Sequence, residues 1–427
     1  MLDIKVLREN PGLVERDLMK RHDSEKLAQL KELLNADSEY LSLLKSSEAL
    51  RAKRNALTEE VKKLVSQKKG FSAKSAEAKK IVEQIKEQET RSSALKEKID
   101  FQLMRLPNVL HDSVPEGKDD SGNKVVLETG KKVSRPELPS HGEILEKNGW
   151  ADFERAAKVA GSGFYFLKGK FALLEFALQK YAVDKLVKKG FTLIEPPLMM
   201  NRAAYEGVTD LADFENVMYK IDSEDLYLIA TSEHPIAAMY GNEIFSGEQL
   251  PLKFAGLSPC FRREIGKHGI DTRGIFRVHQ FNKIEQFIFC RPEDSWHFHE
   301  ELLRNAKEIY DELGLAYRVV NVCTGDIGIV AAKKYDLEVW MPREEKFREA
   351  VSNSNCTSYQ AVRSNIKFRK KSGDKDYVHT LNSTAIATPR TLRAIVETFY
   401  EPDKAILKIP KVLQQYMDGA KEIAPEK

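Results

Sequence analysis

Hydrophobic and polar positions between about residues 25 and 105 repeat with a helical period. The stretch is rich in Lys, Glu, Ala, Leu and Ser and contains one glycine, Gly70, and no proline. Apolar and small polar residues recur at alternating spacings of four and three, which is typical of a coiled-coil seam. In the first half these residues are Leu27, Leu30, Leu34, Leu41 and Leu44, and in the second half Ile81, Ile85, Gln88, Ser92, Leu95, Ile99 and Gln102. Because Gly70-Phe71-Ser72 suits a chain reversal, the pattern predicts an antiparallel two-helix hairpin with its tip near residue 70.

The pattern changes after this hairpin. Residues 107–165 contain four prolines and polar clusters, which predict a linker with short strands. Beyond them, residues 171–189 have helical spacing, residues 191–198 are extended and include Pro196-Pro197, and many later segments alternate with period two. The fold class predicted is α+β. An N-terminal domain (1–106), whose hairpin covers about 25–105, precedes the linker and a domain built on an antiparallel sheet (166–427).

A charged run, Cys260–Phe281, carries the clearest chemistry. Gly266, Gly269 and Gly274 divide it into a strand, a loop and a second strand. Alternation puts Arg262 and Glu264 on one face of the first strand, opposite Phe261, Arg263 and Ile265. On the second strand, Arg277, His279, Phe281, Lys283, Glu285 and Phe287 fall on one face and Phe276, Val278, Ile284 and Ile288 on the other.

The polar face of this run favours a site for a nucleotide and an amine-bearing ligand. Arginines neutralise phosphates, Phe281 offers a ring for a base to stack on, and Glu285 can accept hydrogen bonds from an ammonium or a hydroxyl. A solvated outer face with one stacked phenylalanine is the alternative that the pattern leaves open.

Overall charge confines any nucleic-acid contact to a local surface. The chain has 68 Lys and Arg against 65 Asp and Glu, so its net charge of +3 gives no global attraction for polyanions. Residues 51–80, however, hold ten Lys and Arg against three Glu. This basic half of the hairpin is either an ordinary solvated face of a coiled coil or a projecting arm that binds a phosphate backbone.

Cysteine spacing and hydropathy further narrow the classes of protein to which the chain can belong. The four cysteines lie at least thirty residues apart with no Cys-x-x-Cys pair, so no zinc site is expected. The start MLDIKVLREN has no apolar leader segment, and no apolar run of 18 residues occurs in the chain. The sequence therefore predicts a cytoplasmic protein that does not contact a membrane.

Several motifs together resemble the class II aminoacyl-tRNA synthetases in their seryl form. Phe261-Arg-Arg-Glu264, followed by Gly269-x-x-Thr-Arg-Gly-x-x-Arg-x-His-Gln-Phe281, resembles motif 2 of that family. The remaining matches occur in the family's order: motif 1 ending at Pro196-Pro197, Thr231-Ser232-Glu233, Glu349–Ser352, and motif 3 at Thr380–Thr384 with Arg390. Each of these motifs, taken alone, also has an ordinary structural explanation. Thr231-Ser-Glu-His-Pro235, for example, also has the residue pattern of a helix start. The joint order favours the family, and the hairpin matches its tRNA-binding arm.

The resemblance implies a reaction in which ATP activates serine as an adenylate and tRNA then accepts the serine. It implies Arg262, Glu264 and Arg390 as catalytic residues: Arg262 at the α-phosphate and the serine carboxylate, Glu264 at the adenine amino group, and Arg390 at the γ-phosphate. Phe281 would stack on adenine, and Glu349 with Ser352 would hold Mg²⁺. The full ATP set implied is Arg262, Arg263, Glu264, Val278, Phe281, Glu349, Ala350, Val351, Ser352 and Arg390.

The same resemblance implies the other partners. L-serine would be bound by Thr231, Ser232, Glu233, Arg262, Glu285 and Thr384. The arm would bind tRNA(Ser), and tRNA(Sec) where present, through Arg51, Lys53, Arg54, Lys62 and Lys63. A homodimer is implied as well.

The chain departs from the family pattern at Val351, Asn353, Val362 and Ser383, the last of which resembles archaeal members. These changes spare the residues implied for catalysis, for L-serine and for Mg²⁺. Two rival functions remain open. A related ligase that loads a carrier protein would lack the full arm, and a catalytically silent RNA-binding paralogue would have lost Arg262, Glu264, Glu285 or Arg390.

Overall fold

A computed structural model describes residues 1–209, 215–264 and 274–426, and the chain divides into two compact units, 1–107 and 108–427. The predicted loop glycines Gly266 and Gly269, and Ile265 before them, lie outside the described residues. The described helices of the first unit are α1 (Ile4–Glu9), α2 (Pro11–Lys20), α3 (Ser24–Ser66) and α4 (Ser72–Arg105).

Helices α3 and α4 form the antiparallel hairpin that the sequence predicts, and residues 67–71 make its tip. The Asp23 side chain caps the start of α3 by accepting a hydrogen bond from the Lys26 amide (2.9 Å). Between the helices, Ser47 Oγ donates to Gln88 Oε1 (3.1 Å), and Gln88 Nε2 donates to Ser46 Oγ (3.0 Å). These contacts set the register between the two helices.

The buried seam of the hairpin differs from the prediction on one helix. On α4, Ile81, Ile85 and Ile99 are buried as predicted. On α3 the prediction is wrong for Leu41 and Leu44, which are 42% and 38% exposed. Leu30 is buried as predicted, and the other residues that α3 buries include Leu33, Ala36, Ser47 and Leu57. Leu33 and Ser47 are two heptads apart and so share one heptad position, and Ala36 and Leu57, three heptads apart, share another. Leu41 and Leu44 belong to neither of these two heptad positions.

The second unit mixes helices and strands. Its described helices are α5 (His141–Lys147), α6 (Phe153–Ala160), α7 (Gly169–Lys188), α8 (Arg202–Glu206), α9 (Glu233–Ala238), α10 (Ser295–Leu313), α11 (Tyr359–Ser364) and α12 (Thr388–Phe399). Its described strands are β1 (Lys124–Thr129), β2 (Ala151–Asp152), β3 (Phe166–Leu167), β4 (Thr192–Ile194), β5 (Met199–Asn201), β6 (Leu226–Leu228), β7 (Ile244–Ser246), β8 (Leu252–Phe261), β9 (Gln280–Cys290), β10 (Tyr317–Asn321), β11 (Lys333–Met341), β12 (Lys346–Thr357), β13 (Lys367–Arg369), β14 (Lys375–Tyr377), β15 (His379–Ala387), β16 (Tyr400–Glu401), β17 (Ile406–Lys408) and β18 (Glu422–Ile423).

Eight of these strands form one sheet in the order β1-β10-β11-β12-β15-β9-β8-β4. Every pairing in it is antiparallel except β4 with β8. The predicted α+β class with an antiparallel sheet is therefore confirmed. In the middle of the sheet, Glu285 of β9 lies opposite Gly256 of β8 and Thr384 of β15. This register brings residues distant in sequence to one place.

One face of the sheet is apolar and packs against helices. Ile284 and Ile288 of β9 belong to the same core as Leu178 of α7, Leu302 of α10 and Ile395 of α12. Because side chains alternate along a strand, Lys283 and Glu285 point to the opposite face. The alternation predicted for residues 283–288 is thus confirmed, and the polar face lies open for a site.

Residues 108–165, for which the sequence predicts a linker, lie within the second unit. They supply β1, which pairs with β10 at the edge of the sheet, and helices α5 and α6. A capping box starts α5, in which Ser140 and Glu143 satisfy each other's backbone amides. The domain boundaries given by the sequence stay a prediction.

Candidate active site

A cavity of about 660 Å³ opens on the polar face of the sheet. Most of the predicted site residues line it: Thr231, Glu233, Arg262, Arg263, Glu264, Val278, Phe281, Glu285, Glu349, Ala350, Ser352, Thr384 and Arg390. Two predicted residues lie elsewhere. Ser232 is fully buried and its hydroxyl donates to the Gly256 carbonyl (3.3 Å), while Val351 packs in the apolar core.

One end of the cavity is acidic. Lys283 Nζ lies 2.7 Å from Glu285 Oε2, and both side chains are almost completely buried. Glu233, at the start of α9, accepts hydrogen bonds on Oε1 from Gln360 Nε2 (3.3 Å) and Asn382 Nδ2 (3.1 Å). Burial, with the Glu285 carboxylate second, raises the pKa of Glu233 to about 7. Two carboxylates with one cation suit a ligand that brings an ammonium group.

The middle of the cavity carries an arginine and an aromatic ring. Arg262 Nε donates to the Ala230 carbonyl (3.3 Å), and its guanidinium lies 5.4 Å from the centre of the Phe281 ring. Arg277 pairs through Nε with Glu264 Oε2. Because guanidinium groups bind phosphate or carboxylate oxygens in pairs of hydrogen bonds, Arg262 is placed to bind an anion next to a stacked ring.

The other end of the cavity is rich in cations. Arg390 Nη1 donates to the Glu349 carbonyl (2.8 Å) and lies 3.3 Å from Glu349 Oε1. The Glu349 side chain is 47% exposed; partial desolvation raises its pKa, but Arg390, Lys334 and Arg262 hold the pKa below its ordinary value. Lys334 Nζ also lies 3.1 Å from Asp336, whose pKa burial raises to about 7. The charge of Glu349 is therefore maintained at neutral pH.

The implied Mg²⁺ can be tested against the groups present. Glu349 and Ser352 both line the cavity, so they offer one carboxylate and one hydroxyl oxygen. In the described ranges of the chain, no group of three or more His, Cys, Asp or Glu side chains could hold an ion by itself. Mg²⁺ is commonly bound by one or two carboxylates together with substrate phosphates and waters. The two residues fit an ion that takes its remaining ligands from a nucleotide.

Some cavity residues follow from the sequence and others do not. Lys283 falls on the same strand face as Glu285, so alternation placed it correctly. Phe276 and Val278 were predicted on the opposite, apolar face, but both line the cavity. That prediction is wrong because β9 begins at Gln280, and alternation does not extend to residues outside the strand. Lys334 reaches the cavity through strand pairing that its sequence position does not reveal.

The predicted tRNA-binding cations lie in the first unit, and all are exposed except Arg54, which is half-buried. Arg51 pairs with Glu89 (2.7 Å) and Lys53 with Glu77 (2.8 Å) across the hairpin, and Lys62 pairs with Glu59 (2.7 Å) along α3. Arg54 donates to the Asn55 side-chain oxygen. Exposed ion pairs are weak, at about 0–1 kcal/mol each, so a polyanion can displace these carboxylates. Within the part of the chain that is described, no helix is long and apolar enough to cross a membrane.

Comparison with known proteins gives two family matches. The model of the seryl-tRNA synthetase N-terminal domain matches residues 1–110, and that of the tRNA synthetase class II core domain (G, H, P, S and T) matches residues 217–399. The serine–tRNA ligase of Methanocella arvoryzae is 58% identical over 98% of this chain and 99% of its own length. That of Methanoculleus marisnigri is also 58% identical, over 99% of this chain and all of its own length.

Solved structures agree with these matches. Seryl-tRNA synthetase from Pyrococcus horikoshii, complexed with ATP, has a TM-score of 0.95 and 48% identity, and each chain is covered completely. The cytoplasmic serine–tRNA ligase of Naegleria fowleri, in complex with AMP, has a TM-score of 0.90 and 33% identity, covering 100% of this chain and 99% of its own. The similarity extends over both units.

Proposed function

Because this chain belongs to the seryl-tRNA synthetase family, we propose that it is a serine–tRNA ligase that activates L-serine with ATP and transfers it to tRNA(Ser). The observation that carries the proposal is the order of charges in the cavity. Arg262 acts electrostatically on both Glu233, which neighbours Glu285, and Glu349, which neighbours Arg390 and Lys334, so Arg262 is placed between the acidic pair and these cations. Serine and ATP laid end to end present an ammonium, a carboxylate and then phosphates.

Serine binds at the acidic end. Its ammonium lies between Thr231 and Glu233, and its hydroxyl donates to Glu285 beside Thr384. Arg262 then holds the serine carboxylate next to the α-phosphate. Ser232 supports this pocket from behind, since its hydroxyl is committed to the Gly256 carbonyl.

ATP binds from the middle of the cavity to its cationic end. Adenine stacks on Phe281 and its amino group donates to Glu264, while Arg263, Val278 and Ala350 flank the nucleotide. Arg390 binds the γ-phosphate after leaving its contact with Glu349. Glu349 and Ser352 would hold Mg²⁺, which neutralises phosphate charge when bound.

Chemistry in this site depends on position and electrostatics. The serine carboxylate attacks the α-phosphorus and the bond to the β-phosphate breaks, which gives seryl-adenylate and pyrophosphate. A ribose hydroxyl at the tRNA 3′ end then attacks the seryl carbonyl, and AMP leaves. Negative charge grows at the α-phosphate in the first step, where fixed cations such as Arg262 lower the barrier.

Several further partners follow from the proposal. The basic half of the hairpin, through Arg51, Lys53, Arg54, Lys62 and Lys63, binds the tRNA backbone. The enzyme acts as a homodimer in the cytoplasm, and it also charges tRNA(Sec) where that tRNA is present.

The test is serine-dependent exchange of pyrophosphate into ATP, followed by charging of total tRNA. Wild type should do both, and Glu285→Gln should lose exchange while Glu293→Gln, at an exposed position after β9, keeps it. Leaving the serine hydroxyl without its charged acceptor costs about 1.5–3 kcal/mol, or roughly 10- to 150-fold in kcat/KM. Exchange without charging would favour a carrier-protein ligase, and wild-type protein with neither activity would favour a silent paralogue.

A further inference from the structure

The chain segment 274–279, which leads into β9, is held by residues that the sequence predicts as a linker. The Ile275 amide donates a hydrogen bond to His141 Nε2 (3.1 Å), and His141, the first residue of α5, is 3% exposed. Gly274 lies directly on the imidazole, because a Cβ built there would be 2.2 Å from Nε2. Gly274 also has a φ of +122°, a conformation that favours glycine. The ring and the backbone are therefore in direct contact.

The other end of the segment is held in a similar way. The His279 amide donates to the Gly163 carbonyl (3.0 Å), and the His279 ring stacks on Phe164 with 5.2 Å between ring centres. Tyr219 Oη lies 2.7 Å from His279 Nδ1. A Cβ on Gly163 would lie 2.5 Å from the His279 ring, so this contact also leaves no room for a side chain.

The residues between these two anchors line the cavity. Phe276, Arg277 and Val278 all face it. The Phe276 ring lies 5.6 Å from the Arg390 guanidinium, and Arg277 pairs with Glu264. Glu264 and Arg390 are the groups proposed for adenine and the γ-phosphate. A shift of segment 274–279 would therefore move contacts at both ends of the nucleotide.

We infer that His141 is a positioning residue for ATP, acting through the Ile275 amide on the residues 276–278 that line the nucleotide end of the cavity. The inference deepens the proposed function and rests on it for the identity of the nucleotide. His141 is suited to this role because its ring remains an acceptor at neutral pH: burial first, and then Arg393, lowers its pKa to about 3. A neutral imidazole keeps a lone pair on one nitrogen.

The experiment measures the dissociation constant of Mg-ATP by titration calorimetry on the full-length protein, together with KM for ATP and for serine in pyrophosphate exchange. His141→Phe keeps a planar ring but leaves the Ile275 amide without an acceptor. His141→Gln offers an amide oxygen at comparable reach. His379→Phe removes a half-buried histidine that bonds Ser295 Oγ (2.9 Å) and serves as the control.

We expect His141→Phe to raise the ATP dissociation constant and KM at least about fivefold, with KM for serine unchanged within about twofold, since a buried amide is left unpaired. His141→Gln should restore most of the ATP affinity. His379→Phe should lower the melting temperature without changing the ATP constant. If His141→Phe does not fold, His141→Asn, whose amide is too short to reach Ile275, takes its place against His141→Gln.

An ATP dissociation constant in His141→Phe that equals wild type would overturn the inference, as would a loss that His379→Phe reproduces. A parallel rise in the serine KM would also overturn it, because it would indicate general disorder of the site. If wild type binds ATP but shows no serine-dependent exchange, the proposed function fails, and the role of His141 is still decided by the calorimetric constants.

Discussion

Serine affinity should depend on pH through Glu233. Burial and Glu285 raise the pKa of this carboxyl from 4.5 to about 7, and the proposed partner of Glu233 is the serine ammonium. Only the ionised carboxylate pairs with an ammonium, so serine binds the deprotonated form. With a pKa near 7, about one tenth of the enzyme is in that form at pH 6 and about nine tenths at pH 8. KM for serine should therefore fall about tenfold between pH 6 and pH 8.

The raised pKa of Glu233 also makes the stability of the ligand-free protein depend on pH. A carboxyl whose pKa is raised in the folded state binds more protons there than in the unfolded state, so the free energy of unfolding falls as pH rises from about 4.5 to 7. A shift of this size corresponds to about 3 kcal/mol for the ligand-free protein. Serine should reverse part of this loss, so the rise in melting temperature with saturating serine should be larger at pH 8 than at pH 6.

The assay is pyrophosphate exchange at pH 6, 7 and 8 with saturating ATP, on wild type and on Glu233→Gln. The amide cannot ionise, so the variant should have a high serine KM that does not change over this range. A flat KM in wild type, or the same slope in both proteins, would refute the assignment of Glu233 to the ammonium. Asp336 also has a pKa near 7, but it pairs with Lys334, a cation that lines the cavity near Glu349, so its titration should affect KM for ATP instead.

Two further predictions concern the cation of the serine pocket and the arm. Lys283→Met should leave Glu285 buried without its partner, which costs about 3–5 kcal/mol of stability. The variant should also raise KM for serine far more than KM for ATP. Equal changes in both constants would argue against a role of Lys283 in the serine pocket. Deletion of residues 30–95 should leave serine-dependent exchange within about twofold of wild type, because the cavity lies in the second unit. The deletion should abolish tRNA charging, because contacts with the tRNA backbone are lost. Charging that persists after the deletion would exclude the arm as the tRNA-binding element.

The sequence predicts features set by local repetition better than those set by pairing. Alternation along β9 put Lys283 and Glu285 on the face opposite Ile284 and Ile288, as the structure has them. The same rule failed for Phe276, because the strand starts four residues later and a period of two has no meaning outside a strand. In α3, the leucine spacing fits two different heptad frames. The frame found in the structure places Ser47 against Gln88 of the other helix, and this contact is not visible in the leucine pattern.

Long-range partners had no local signal at all. Gln360 reaches Glu233 from 127 residues away, and His141 reaches Ile275 from 134 residues away. Neither contact has a periodicity that a sequence pattern could display. Residues 108–165 looked like a linker for the same reason, since their prolines and polar clusters are visible locally while their pairing with β10 is not.

Two carboxylates of the cavity, Glu233 and Glu349, have pKa values shifted in opposite directions. Glu233 has amide donors from Gln360 and Asn382, and burial raises its pKa. The Glu349 side chain is 47% exposed, and Arg390, Lys334 and Arg262 lower its pKa against the effect of partial desolvation. Desolvation raises the pKa of both carboxylates, so the difference comes from their charged neighbours: the Glu285 carboxylate beside Glu233, and cations beside Glu349. One end of the cavity therefore gains from an arriving ammonium, and the other has surplus positive charge for phosphates. Under the proposed function, a ligand pair bound in the reverse direction would place phosphates against Glu233 and Glu285, so the arrangement of charges favours the orientation in which the serine carboxylate meets the α-phosphate at Arg262.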